Sequence, residues 1–98
     1  MDRESIIARL RENEAALRAR GIVHAALFGS RARGDNRPDS DIDILIEIAP
    51  DSVQDIYAYA GLKAAVAAIF AERVDVTNRN FLKPFVKPLA DNEAIYAF

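Results

Sequence analysis

Isoleucines at every second position between Ile42 and Ile48 mark the clearest element in the chain. Ile42, Ile44, Ile46 and Ile48 point one way, and Asp41, Asp43, Leu45 and Glu47 the other. That period of two predicts a strand with one well-buried face, and Pro50 stops it. Ile22 to Phe28 is a shorter apolar run between Gly21 and Gly29, which predicts a buried strand. Val74-Asp75-Val76 reads as a short third strand, with Asp75 facing opposite to its two valines. Residues 2–20 read as one amphipathic helix with Ile6, Ile7, Leu10 and Leu17 on its inner side, Asp2 as its cap and Gly21 as its closing residue. Arg9, Arg11, Arg18 and Arg20 read as its solvated face. Asp51 and Ser52 are good caps for a second helix running to about residue 71, with Val53, Ile56, Tyr57, Ala60, Ala64 and Ala67 as its inner stripe. Phe81, Leu82, Phe85, Val86 and Leu89 have helical spacing. Pro84 suits a first turn there, whereas Pro88 is expected to kink or end the helix. One or two short helical turns are expected, then a tail, residues 94–98, packed on the domain or on a partner. This order indicates a small α/β or α+β domain on a mixed sheet.

Composition narrows the picture. The chain has 98 residues, 51% of them hydrophobic, which suits one core and no array of repeats, so it reads as a single domain spanning 1–98. With no cysteine there is no disulfide framework and no thiolate zinc site, which fits a cytoplasmic location. No secretory signal is visible. The longest apolar-rich stretch, residues 57–71, is interrupted by Lys63 and is too short to span a bilayer, so no membrane association is expected. A net charge of −2 argues against nucleic-acid binding through bulk charge. The single histidine, His24, has no neighbouring ligand type and reads as structural.

The chemistry concentrates between residues 28 and 43. Phe28-Gly29-Ser30 ends a strand and opens a turn, and a glycine there lets backbone approach a ligand closely. A short helix following it would favour an anion at its first N–H groups. Ser30 adds a hydroxyl, and Arg31, Arg33 and Arg37 add guanidinium groups suited to phosphate oxygens. Asp41 and Asp43, two apart on one strand, leave the same face and are suited to a shared hard cation such as Mg²⁺. Neither half is specific alone. Together they describe a site for a metal and a nucleoside triphosphate.

Gly29-Ser30, ten intervening residues and Asp41-Ile42-Asp43-Ile44 resemble the signature of the DNA polymerase beta-like nucleotidyltransferase superfamily. The fuller run Gly-Ser-Arg-Ala-Arg-Gly with Ser-Asp-Ile-Asp-Ile-Leu-Ile is similar to the minimal nucleotidyltransferases, and Arg73-Val74-Asp75-Val76 matches the strand that carries the family's third carboxylate. The resemblance implies an α+β fold, a small mixed sheet flanked by helices. It implies that Gly29 and Ser30, with Arg31 and Arg33 beside them, bind the triphosphate. Asp41, Asp43 and Asp75 would be the catalytic, metal-binding carboxylates, holding two Mg²⁺ ions, with Asp75 also accepting the proton of the attacking hydroxyl. ATP is the implied substrate. The implied acceptor is a tyrosine of a HEPN-domain ribonuclease toxin, which this chain would silence as antitoxin by adding AMP, in a hetero-oligomer with it. The rival readings are an antibiotic-type small-molecule nucleotidyltransferase, a non-catalytic antitoxin acting by occlusion, and a nucleic-acid binder.

Overall fold

A computed structural model describes residues 1–52 and 55–98. Its elements run α1 (Arg3–Glu12), α2 (Glu14–Ala19), β1 (Ile22–Phe28), α3 (Ser30–Arg33), β2 (Ile42–Ile48), α4 (Ile56–Ala67), β3 (Val74–Asn78), a 3₁₀ turn (Arg79–Phe81), α5 (Lys87–Glu93) and β4 (Ile95–Tyr96). The sheet has the order β3-β2-β1-β4. β1 is antiparallel to both β2 and β4, while β2 and β3 are parallel, with α4 in the connection between them. The fold is therefore α+β on a mixed sheet, as the element order indicates.

One sheet face is covered by α1, α2 and α4. Ile42, Ile44, Ile46 and Ile48 all enter the core built there with Ile6, Leu10, Leu17, Leu62, Val66 and Phe70. β1 contributes Ile22, Ala25 and Leu27 to it. That odd spacing has a cause: the register slips between Ile22 and His24, so the irregularity returns Ile22 to the face of Ala25 and Leu27. The opposite face is half covered. Leu45, the one apolar residue among the outward positions of β2, packs with Ala26 and Ala90 under α5. Asp43 and Glu47, on either side of it along the strand, stay partly exposed.

Four expectations are corrected. The predicted helix over 2–20 breaks at Asn13, whose side-chain Nδ2 donates to Arg9 O at 2.9 Å and competes with continued helix. Its start is as expected, with Asp2 Oδ1 accepting from Ser5 N at 2.8 Å. The second helix starts at Ile56 rather than at Asp51 or Ser52, because Asp55 provides the cap and accepts from Ala58 N at 2.7 Å.

The inner stripe of α4 is also different. Ile56, Tyr57, Ala60 and Ala64 are exposed and Ala67 is half-buried, while Leu62 and Val66 are buried. Tyr59 packs against the same core, and Phe70 continues the stripe just past the helix end. The larger side chains at 59, 62, 66 and 70 bury more apolar area than the alanines, which sets the rotation of the helix. Val53 lies outside the described residues.

Pro88, finally, does not end a helix. It sits in the first turn of α5, where a missing N–H costs nothing. The tail packs on the domain: Ala97 N donates to Ala25 O at 2.9 Å and Ala97 is buried. Among the described residues, no helix is long and apolar enough to cross a membrane.

Candidate active site

Asp43 stands at the centre of the uncovered half of the outer sheet face. Its Cα partner on β1 is Phe28, the last residue before Gly29. Its partner on β3 is Asp75. Adjacent strands lie about 4.8 Å apart, and residues paired across them share a face. Asp43 and Asp75 are thus direct neighbours, and Asp41, immediately before the first residue of β2, is close enough for its charge to act on Asp43. Three carboxylates gather at one end of the sheet, beside the turn that leaves β1.

The electrostatics reflect that crowding. The Asp43 carboxyl is pushed above the ordinary carboxylate range, first by burial and then by the negative charges of Asp75 and Asp41; Arg33 and Arg31 oppose the shift. Arg73 Nε lies 3.1 Å from Asp41 Oδ1. The N–H is not aligned for a hydrogen bond, so this shielded oxygen has no hydrogen-bond donor. Among the described residues, no three acidic or imidazole groups converge at metal-coordinating distance. The donor set nonetheless suits a hard cation: oxygen ligands only, mutual repulsion to relieve, and one orphaned carboxylate oxygen.

Gly29 is fixed by two constraints. Its backbone, at φ 76 and ψ −154, lies in a region open essentially to glycine alone. A Cβ there would also stand 3.1 Å from Asp43 Cγ and collide with Asp43 Oδ2. The turn therefore lies directly against the central carboxylate. After it, Ala32 N and Arg33 N both donate to Gly29 O at 3.1 Å, closing a single helical turn that begins at Ser30.

The structure divides the expected arginines. Arg33 is exposed on the surface of α3, 3.1 Å from Asp35 Oδ2 and 3.1 Å from Glu93 Oε2 on α5. Arg31 is buried, and its guanidinium donates to Ser40 O, Glu72 Oε1 and Met1 O. Arg31 is expected from the motif to bind nucleotide; in the structure its two Nη groups are already engaged by protein acceptors, while its buried Nε has no hydrogen-bond partner among the described residues. The sequence also gave no sign of Glu93 reaching Arg33, since the two are 60 residues apart. Arg73 was visible beside Asp75, but its approach to Asp41 depends on strand pairing. His24 is half-buried, with Nδ1 3.3 Å from Phe98 O and Nε2 3.7 Å from Glu47 Oε2.

Residues 7–97 match the family described as the nucleotidyltransferase domain. The chain belongs to that family. This nucleotidyltransferase is 29% identical over 94 residues to the protein adenylyltransferase MntA of Thermococcus cleftensis, covering 95% of this chain and 93% of that one. It is 33% identical over 89 residues to a Methanocaldococcus jannaschii protein provisionally named a protein adenylyltransferase, covering 89% of each. A solved structure provisionally described as a minimal nucleotidyltransferase superposes with a TM-score of 0.79 at 33% identity, covering 97% of this chain and 95% of that one. An MNT antitoxin solved with the tri-AMPylated HEPN toxin of Shewanella oneidensis shares the fold, with a TM-score of 0.60 at 22% identity, covering 91% of this chain and 70% of that one.

Proposed function

We propose that this nucleotidyltransferase is a protein adenylyltransferase and an antitoxin. It moves AMP from ATP to a hydroxyl on a partner protein, a tyrosine of a HEPN-domain ribonuclease toxin. The observation that carries this reading is the pairing of Asp43 with Asp75 across parallel strands, with Gly29 packed against Asp43. The names borne by the relatives, and the toxin complex of the structural neighbour, support the choice of donor and acceptor.

In this reading Gly29 and Ser30 cradle the triphosphate, Gly29 by leaving room for backbone approach and Ser30 through its hydroxyl. Arg33 is exposed and exchanges Asp35 and Glu93 for phosphate oxygens. Asp41, Asp43 and Asp75 would hold Mg²⁺, two ions in the full site. When bound, the metal supplies charge neutralisation at the phosphates and lowers the pKa of the acceptor hydroxyl. Asp75, the exposed member of the three, accepts the proton of the attacking tyrosine hydroxyl. The tyrosine oxygen bonds to the α-phosphorus, the bond from that phosphorus to its bridging oxygen breaks, and pyrophosphate leaves. The chain otherwise contributes orientation, by holding these groups on rigid strands.

The test incubates the purified chain with its co-expressed HEPN partner, Mg²⁺ and labelled ATP, followed by intact-mass analysis of the partner. Asp41→Ala and Asp43→Ala are each expected to reduce AMP transfer by at least about a hundredfold. Undiminished transfer by both variants overturns the proposal.

A binding-only antitoxin is the second reading. Phe81, Phe85 and Leu89 are large, apolar and exposed, with Lys83 and Lys87 between them, a surface suited to a protein partner. Neutralisation that survives the Asp41→Ala/Asp43→Ala double variant would favour it.

A further inference from the structure

The Gly29–Ser30 turn and the two carboxylate-bearing strands come from three separate stretches of chain, and one buried side chain joins them. Arg31 is 6% exposed. Its Nη2 donates to Ser40 O at 2.7 Å and to Glu72 Oε1 at 2.9 Å, and its Nη1 donates to Met1 O at 3.1 Å. Ser40 immediately precedes Asp41, and Glu72 precedes the strand that carries Asp75. The two strand starts are already joined by Ile42 N donating to Arg73 O at 2.9 Å. Arg31 adds the third element, because it follows Ser30 directly in α3. Its planar guanidinium meets three acceptors at once through two nitrogens held in fixed directions, which a single lysine ammonium cannot reproduce.

We propose that Arg31 is a positioning residue. It holds the Gly29–Ser30 turn in register with Asp41 and Asp75, and so sets how tightly a metal–nucleotide complex binds, without itself touching phosphate. This rests on the triphosphate site proposed above. A phosphate ligand and a positioning residue make different predictions. Removing a phosphate ligand weakens ATP binding with or without metal, and lysine, which keeps the charge, restores much of it. Removing a positioning residue leaves metal-free binding alone and removes the gain that metal brings, and lysine does not restore it.

The experiment measures the dissociation constant of ATP calorimetrically, in excess Mg²⁺ and in EDTA, for the wild type, Arg31→Met, Arg31→Lys and Glu72→Ala. Each is held below its own melting temperature, determined by circular dichroism. Wild type is expected to bind ATP more tightly with Mg²⁺. Arg31→Met and Arg31→Lys are both expected to lose about tenfold of that gain, with binding in EDTA changed by less than about twofold. Glu72→Ala is expected to move the same way. It carries the test if Arg31→Met does not fold, since Glu72 is no candidate phosphate ligand. Three results overturn the proposal. One is a lowered melting temperature with the Mg²⁺-dependent gain intact, the mark of a residue that only stabilises. Another is a loss in EDTA matching that in Mg²⁺ for Arg31→Met, with recovery in Arg31→Lys. The last is no Mg²⁺-dependent ATP binding by the wild type, in which case the triphosphate reading fails and the positioning role falls with it.

Discussion

A Cβ on Gly29 would stand 3.2 Å from Asp43 Cβ and run into the carboxylate beyond it. The turn and the central carboxylate are therefore fitted to each other across β1 and β2, although 13 residues lie between them. Asp43 keeps its place only while residue 29 lacks a side chain.

Gly29→Ala is expected to suffer twice. The backbone conformation alone costs about 1–3 kcal/mol for a residue with a Cβ, enough to lower the melting temperature by roughly 4–24 °C in a chain of this size. Displacement of the Asp43 carboxylate should also weaken Mg²⁺-dependent ATP binding by at least about tenfold. Melting curves and calorimetry check both, and unchanged values for each would contradict the packing described.

Asp43 predicts a pH dependence with a definite sign. Its carboxyl is raised from the ordinary 3.8 by burial and by Asp75 and Asp41, so the native state holds that proton more tightly than the unfolded chain. Stability from this group is full below 3.8 and is lost as pH rises through the raised native value. At pH 7 without divalent metal, Asp43→Asn should therefore melt higher than the wild type. Adding Mg²⁺ should raise the melting temperature of the wild type and leave Asp43→Asn nearly unmoved. Differential scanning calorimetry in EDTA and in Mg²⁺ measures both.

Arg79 ties the end of β3 to α5. Its Nε and Nη2 donate to Asp91 Oδ1 and Oδ2 at 2.8 and 2.6 Å, a bidentate pair. Hydrogen bonding from Arg79 is the main cause holding the Asp91 carboxyl below its ordinary 3.8. The stability from this pair is present above 3.8 and is lost as pH falls through the depressed native value. Arg79→Met should lower the melting temperature at pH 7, with the difference from wild type shrinking on titration below pH 3.8.

Phe85 offers the opposite profile. It is 71% exposed, so Phe85→Ser should change stability by no more than about 0.5 kcal/mol. If the partner docks there, the same change should weaken toxin binding and neutralisation while ATP binding stays at the wild-type level. Size-exclusion analysis of the co-expressed pair and a growth assay separate the effects. Full neutralisation by a Phe85→Ser/Leu89→Ser variant would remove this surface from the interface.

Much of the fold was legible because its signals are local. The four isoleucines of β2 declare their own face, and Asp2 caps the first helix within three residues of itself. Gly29-Ser30 and Asp41-Ile42-Asp43 likewise announce a candidate site by spacing alone. The helices were read less well. Nothing local distinguishes Asp51 or Ser52 from Asp55 as the cap of α4, and an alanine-rich helix shows several plausible inner stripes until a sheet selects one. The break at Asn13 turns on one side chain choosing a carbonyl, a choice that periodicity does not register.

The sequence by itself determined the strand alternation, the glycine turn and the acidic pair, because each depends on neighbours a few residues away whose directions backbone geometry dictates. Only the tertiary structure decided which distant groups meet. It brought Asp75 beside Asp43 through parallel pairing, set Glu93 against Arg33, and joined the Arg31 guanidinium to Ser40 and Glu72. Those outcomes depend on strand order and on how buried guanidinium donors find acceptors. A motif fixes which side chains are supplied, and the packing of separate stretches of chain fixes what each one touches.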